Sequence, residues 1–214
     1  MVRVASIDLG SNSTRLLIAD ITNGDLNTIY KEHQVTRMAD KLSESKIISK
    51  DASKRVLKVL ASYFKIINRK NVENIQIVGT AALRDAKNSH EITQLIEKRF
   101  GIEVDIVSGE EEGLLTSVGV LNSLGNIKNF LIVDIGGRST EFIYDHDKKI
   151  VSKSLNLGVV SISELFFNEL PPSEGSLFLA KEYIESILFE SNIFNERMLV
   201  GVAGTFTSLA SIYL

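Results

Sequence analysis

Two short stretches carry the residues best suited to chemistry. They are Ile7-Asp8-Leu9-Gly10-Ser11-Asn12-Ser13-Thr14 and Val133-Asp134-Ile135-Gly136-Gly137-Arg138-Ser139-Thr140. At a single offset of 126 residues, Asp8 meets Asp134, Gly10 meets Gly136, Ser13 meets Ser139 and Thr14 meets Thr140. Both read apolar-Asp-apolar-Gly-x-x-Ser-Thr-charge-apolar-apolar, with Arg15 standing opposite Glu141. A spaced match of this kind within one chain signals a duplicated unit. A glycine-bearing turn lets backbone N–H groups approach an anion, and the Ser and Thr hydroxyls add donors. An aspartate at the strand end can hold a hard cation directly or through water. Two such turns facing each other would clamp a chain of phosphates; the plainer alternative is a pair of ordinary hairpins.

The elements that must position these turns follow from periodicity and punctuation. Residues 3–9 and 14–21 read as a hairpin, "NGDL" turns into a further strand over about 26–33, and helical spacing runs from Ser49 to Asn68. A strand over 75–80 precedes a helix with Asn88 as N-cap, Glu91 three residues on and a stop near Gly101. A strand over 102–107 then leads to a helix capped by Ser108 with Glu111 at its third position. Strands over 129–135, 140–145 and 149–155 repeat the opening meander. Helices over about 159–169 and 173–189 flank Pro171-Pro172, and a strand over 198–202 leads into "AGTFTSLASIYL". The pattern predicts an α/β protein of two closely packed domains, 1–124 and 125–214, with the boundary near Leu124-Gly125.

Composition narrows the class. The 214 residues are 44% apolar and 24% charged, ordinary for a globular protein. A net charge of -3 gives no support for a general nucleic-acid or membrane surface. Without cysteine there is neither a disulfide nor a thiolate metal site. No signal-peptide pattern and no membrane-length apolar run stand out, so a cytoplasmic location is the expectation. His33, His90 and His146 are scattered and form no metal constellation.

The same segments resemble the exopolyphosphatase / guanosine pentaphosphate phosphatase (Ppx/GppA) family of the actin-like ATPase-domain superfamily. "ASIDLGSNSTRLLIADI" and "IVDIGGRSTEF" match its two phosphate loops, and "VGTAALRDAKN" its T-x-A-h-R-x-A-x-N segment. "VDIVSGEEEG" matches its S-G-x-x-E-[AG] segment. "SLNLGVVSISELF" and "VGVAGTFTSLA" match its S-x-x-x-G-x-x-x-h-x-E and G-G-T segments, in the family's order. The resemblance implies two actin-like (ribonuclease H-like) lobes with a central cleft. It also implies hydrolysis of terminal phosphoanhydride bonds in polyphosphate or guanosine polyphosphate, with Mg²⁺ or Mn²⁺ as cofactor.

The resemblance also implies roles. Glu112 becomes the general base; read alone, Glu110, Glu111 and Glu112 are equally acids favoured in a first helical turn. Asp134, Glu141 and Asp8 become the metal ligands. Gly10, Ser11, Asn12, Ser13, Gly136, Gly137, Ser139 and Thr140 donate to phosphate oxygens, while Arg15 and Arg84 neutralise them. Gly204 and Thr205 either close over the outer phosphates or form a strand-to-helix turn with Thr205 as N-cap.

Three features depart from the family. Arg138 stands where a third glycine is usual; it either blocks phosphate or brings it a further charge. Ala203 replaces the first glycine of G-G-T, a milder change. "TSLASIYL" ends as an apolar helix without a cap, so the second lobe reads as incomplete and prone to association, a homodimer included. A non-catalytic polyphosphate or alarmone sensor, a truncated inactive fragment of such a phosphatase and a small-molecule kinase are the alternative functions.

Overall fold

The computed structural model describes residues 1–125, 127–191, 193 and 198–213. They form two compact α/β units, Met1–Val107 and Ser108–Leu214. In the first, β1 (Val2–Leu9), β2 (Ser13–Thr22) and β3 (Asp25–Val35) make an antiparallel meander. There follow α1 (Leu42–Ser45), α2 (Lys50–Arg69), β4 (Asn74–Gly79), α3 (Ala81–Asp85), α4 (Ser89–Phe100) and β5 (Val104–Ile106). The sheet order is β3-β2-β1-β4-β5, with β1, β4 and β5 parallel.

The core of this unit follows from the helical period of α2. Val56, Leu60, Tyr63 and Ile67 fall on one stripe and are buried against Ile7, Leu9, Leu16 and Ile18 of the sheet. Burying side chains of this size contributes roughly 2 kcal/mol each. The Tyr63 hydroxyl donates to the Thr14 carbonyl at 2.8 Å, which ties α2 to the strand leaving the first turn. Ser49 caps α2, its hydroxyl accepting from Ala52 N–H at 3.1 Å.

The second unit opens with α5 (Gly109–Leu124) and repeats the meander as β6 (Phe130–Ile135), β7 (Thr140–His146) and β8 (Lys149–Leu155). Then come α6 (Val159–Phe166), α7 (Glu174–Ser191), β9 (Met198–Val202) and α8 (Ala203–Tyr213). Its sheet order is β8-β7-β6-β9, with β9 parallel to β6. This is the order and sense of β3-β2-β1-β4, so the duplication read from the turns extends to four strands of each sheet. No helix among the described residues is long and apolar enough to cross a membrane.

Three expectations need correction. The compact units divide at Val107/Ser108 rather than Leu124-Gly125, because α5 packs on β7 and β8 of the second sheet. Glu112 therefore travels with the second unit. Asn88 does not cap α4; its side-chain amide instead bonds both the N–H and the carbonyl of Ile48, at 2.9 and 3.0 Å. The strand expected over 102–107 contracts to Val104–Ile106, the residues that pair with β4.

Candidate active site

Each turn sits at the carboxyl end of the strand that begins its meander, and both close with the same bond. Gly10 N–H donates to Ser13 O at 3.0 Å and Gly136 N–H to Ser139 O at 2.9 Å. A Cβ at either glycine would press on that carbonyl, at 2.8 and 3.1 Å respectively, which accounts for glycine at both positions.

The carbonyls within the turns are also captured. Val159 N–H donates to Gly136 O, Val160 and Ser161 N–H to Gly137 O, and the Ser161 hydroxyl to Arg138 O. Three consecutive carbonyls thus point at the first turn of α6. A trans peptide holds its C=O and N–H antiparallel, so the N–H groups of Gly137, Arg138 and Ser139 point the opposite way. Successive amides aimed to one side make an anion-binding concavity. The first turn repeats the device with other partners: Ala39 N–H donates to Ser11 O, and Thr36 and Arg37 N–H donate to Asn12 O. There the N–H groups of Asn12 and Ser13 are turned outward.

The base of each turn differs in charge. In the first unit Asp8 and Arg15 are directly opposed across β1 and β2, with Arg15 Nη1 3.8 Å from Asp8 Oδ2. In the second, the same positions hold Asp134 and Glu141, two carboxylates in register. Like charges directly opposite on a sheet are destabilising, and Glu141 is only 1% exposed. Ser154 of β8 donates to Glu141 Oε1 at 2.8 Å, and Thr116 of α5 reaches Asp134 Oδ2 at 3.5 Å. Two carboxylates with a neighbouring hydroxyl form a hard oxygen set of the kind that holds Mg²⁺ together with water and substrate phosphates. Among the described residues no three His, Cys, Asp or Glu side chains gather as a metal group. Asp8, expected as a third ligand, belongs to the other unit and pairs with Arg15.

Helix α5 brings Glu112 into this neighbourhood. Ser108 and Glu111 form the expected capping box, at 3.1 and 2.8 Å. The Ser108 N–H and hydroxyl hold the Glu111 carboxyl below the usual carboxylate range. Glu111 is thereby spent on the cap. Glu112 is half-buried and lies one helical turn before Thr116, on the same face, since residues four apart are neighbours. Thr116 contacts Asp134, so that face meets the acidic end of β6 and β7.

Gly113 lets α5 lie close on β8: a Cβ there would come within 1.9 Å of Ser152 Oγ. The Ser152 hydroxyl is buried with no hydrogen-bond partner among the described residues. Ser152→Ala removes that desolvated group and is expected to raise stability by about 1 kcal/mol, read as a higher urea midpoint at constant slope.

Several assigned residues have structural uses. The Thr140 hydroxyl donates to Leu157 O, and Thr14 shares a bond with Thr36 at 3.2 Å, so both tie the turns down instead of reaching outward. Arg84 Nη1 donates to Val107 O at 2.8 Å, at the carboxyl ends of β4 and β5. Thr205 is not an N-cap, because α8 begins at Ala203 and the Thr205 hydroxyl donates to Ile135 O at 3.3 Å. Thr80 N–H reaches the equivalent carbonyl, Leu9 O, in the first unit. Gly204 is exposed beside it in the first turn of α8.

Arg138 is 7% exposed, and its Nη1 lies 3.8 Å from Glu164 Oε2 on α6. Its backbone lies outside the left-handed region, so the position tolerates a side chain. Ala203 is the opposite case, with φ at 65°. Replacing the family glycine there is not a mild change, since this conformation costs a residue with a Cβ about 1–2 kcal/mol. Ala203→Gly is expected to stabilise the chain by about 1 kcal/mol, measured by chemical denaturation.

Sequence reasoning assigned no role to Thr116, Ser154, Gly158, Ser161 or Glu164. The spacing S-x-x-x-G-x-x-x-h-x-E contains Ser154, Gly158 and Glu164, and was the available signal.

Two α/β lobes with duplicated meanders and anion-cradling turns define a protein of actin-like fold. The family model described as Ppx/GppA phosphatase family matches residues 17–213, and the chain belongs to that family. It is 35% identical over 97% of its length to a bifunctional 3-dehydroquinate synthase/phosphatase of Fusobacterium nucleatum, covering 34% of that protein. It is 33% identical over 98% to a guanosine-5'-triphosphate,3'-diphosphate pyrophosphatase of Vibrio cholerae, covering 43%. The chain thus spans under half the length of these relatives. Among solved structures, an exopolyphosphatase from Cytophaga hutchinsonii matches with a TM-score of 0.90 and 27% identity, over 98% of this chain and 69% of that one.

Proposed function

We propose that the chain hydrolyses terminal phosphoanhydride bonds of inorganic polyphosphate, of guanosine pentaphosphate (pppGpp to ppGpp), or of both. One observation carries the reading. The outward amides of Gly137, Arg138 and Ser139 lie in the turn that joins Asp134 to Glu141, and α5 offers Glu112 on the face that meets Asp134. Names borne by the relatives, pyrophosphatase and exopolyphosphatase, support the same chemistry.

In this reading the amides of Gly137, Arg138 and Ser139 hold phosphate oxygens. Glu112 accepts a proton from water as the water oxygen attacks the terminal phosphorus. The bridging P–O bond breaks, leaving orthophosphate and a chain one phosphate shorter. Asp134 and Glu141 would hold Mg²⁺, which when bound neutralises charge on the phosphate oxygens. Positioning and electrostatics supply most of the rate, as is general in phosphoryl transfer.

A blocking Arg138 would favour a non-catalytic sensor, but its guanidinium reaches Glu164 on α6 and need not obstruct the turn. The test is release of orthophosphate from polyphosphate and from pppGpp, in Mg²⁺ and in EDTA. Release in Mg²⁺ that EDTA suppresses is the expected result. Tight binding with no release from either substrate would decide for a sensor.

A further inference from the structure

We infer that Arg138 is a positioning residue, whose charge fastens the second turn to α6 through Glu164 and does not contact the bound phosphate chain. The inference rests on the proposed phosphate-binding role of this turn and specifies how the turn is held.

Three observations point the same way. The Arg138 side chain is 7% exposed and meets Glu164 at 3.8 Å, on the α6 side of the turn. The Arg138 carbonyl lies 3.3 Å from the Ser161 hydroxyl, also on α6, which shares its proton with Gly158 O at 3.0 Å. The two carbonyls that precede that tie, at Gly136 and Gly137, are held by the first-turn amides of the same helix. The Arg138 carbonyl and guanidinium thus both reach α6, whereas its N–H and those of Gly137 and Ser139 face the other way. Glycine at 138 would permit the turn but supply no side-chain tie. Arginine adds a charged link from the middle of the turn to a residue 26 positions on. Glu164, the last residue of the S-x-x-x-G-x-x-x-h-x-E segment, gains its use from this pairing.

The test uses tripolyphosphate as the probe, with binding followed by calorimetry, together with amide hydrogen exchange at 137–139 in the unliganded protein. Arg138→Ala and Glu164→Gln are expected to weaken tripolyphosphate binding by a similar factor, about tenfold each. The double variant should be no weaker than either alone, and the exchanged pair Arg138→Glu with Glu164→Arg should recover most of the loss. Both single variants should also speed exchange at 137–139 to a similar extent. A direct contact with phosphate predicts the reverse pattern: Arg138→Ala weakens binding, Glu164→Gln leaves it unchanged or tighter, and exchange is unaffected. That result overturns the inference. If the unmodified chain binds no tripolyphosphate, the proposed function fails, and the exchange arm still decides whether the pair holds the turn.

Discussion

Glu112→Gln is expected to lower orthophosphate release by about 10²–10⁴-fold, the usual range for general-base assistance. The substitution keeps the shape and removes the basic oxygen. Because Ser108 and Glu111 make the cap by themselves, the start of α5 should be undisturbed. Thr116 should still meet Asp134, and the turn amides do not depend on α5 for their direction. Tripolyphosphate affinity should therefore change little while turnover collapses. Initial rates in a colorimetric phosphate assay, paired with calorimetric binding, separate the two effects. Equal turnover in the variant would remove Glu112 from the chemistry, and equal loss of binding and turnover would assign it to substrate contact.

Gly158→Ala is expected to be among the most damaging single-methyl additions in the chain. A Cβ there would lie 2.2 Å from Arg138 N, 2.3 Å from Gly137 C and 2.4 Å from Arg138 C. These are backbone atoms of the turn, so no side chain can swing aside. Either the turn or the start of α6 must move, and the carbonyl bonds from Val159, Val160 and Ser161 must loosen with it. Overpacking of this kind costs about 3 kcal/mol at its upper range. For a chain of this size that corresponds to a fall of roughly 6–12 °C in Tm. Loss of tripolyphosphate binding should accompany it. Gly175→Ala on α7 is the matched control: a Cβ there meets open space, and alanine is the better helix former. A Gly158→Ala protein with unchanged Tm and binding would show that the seating of α6 on the turn does not matter.

Much of this architecture was legible in the sequence because it is local or repeated. The Asp-x-Gly-x-x-Ser-Thr match located both turns, and alternation placed strands 149–155 and 198–202 on the observed residues. The capping box at Ser108 was readable for the same reason: its two bonds span three residues. What escaped depends on distant partners. The pull on Arg138 comes from Glu164, and the hold on Asn88 from Ile48, 40 residues earlier. The division between units was misplaced because α5 shows nothing in its own pattern that says which sheet it will cover. Its contact face is built from the small residues Gly109, Gly113 and Ser117, which give little amphipathic signal. Helices α1 and α3 are too short, at 4 and 5 residues, for a 3.6-residue period to register.

The seating of the second turn has an electrical consequence. Amide protons at the start of a helix carry partial positive charge, and those of Val159, Val160 and Ser161 end on carbonyl oxygens of Gly136 and Gly137. Each oxygen shares a conjugated plane with the amide of the next residue, so drawing electron density at one end acidifies the N–H at the other. Chained bonds of this kind strengthen one another by about 10–30%. The polarity of α6 is in this way transmitted through two peptide planes to protons on the far side of the loop, giving an electropositive rim without a basic side chain.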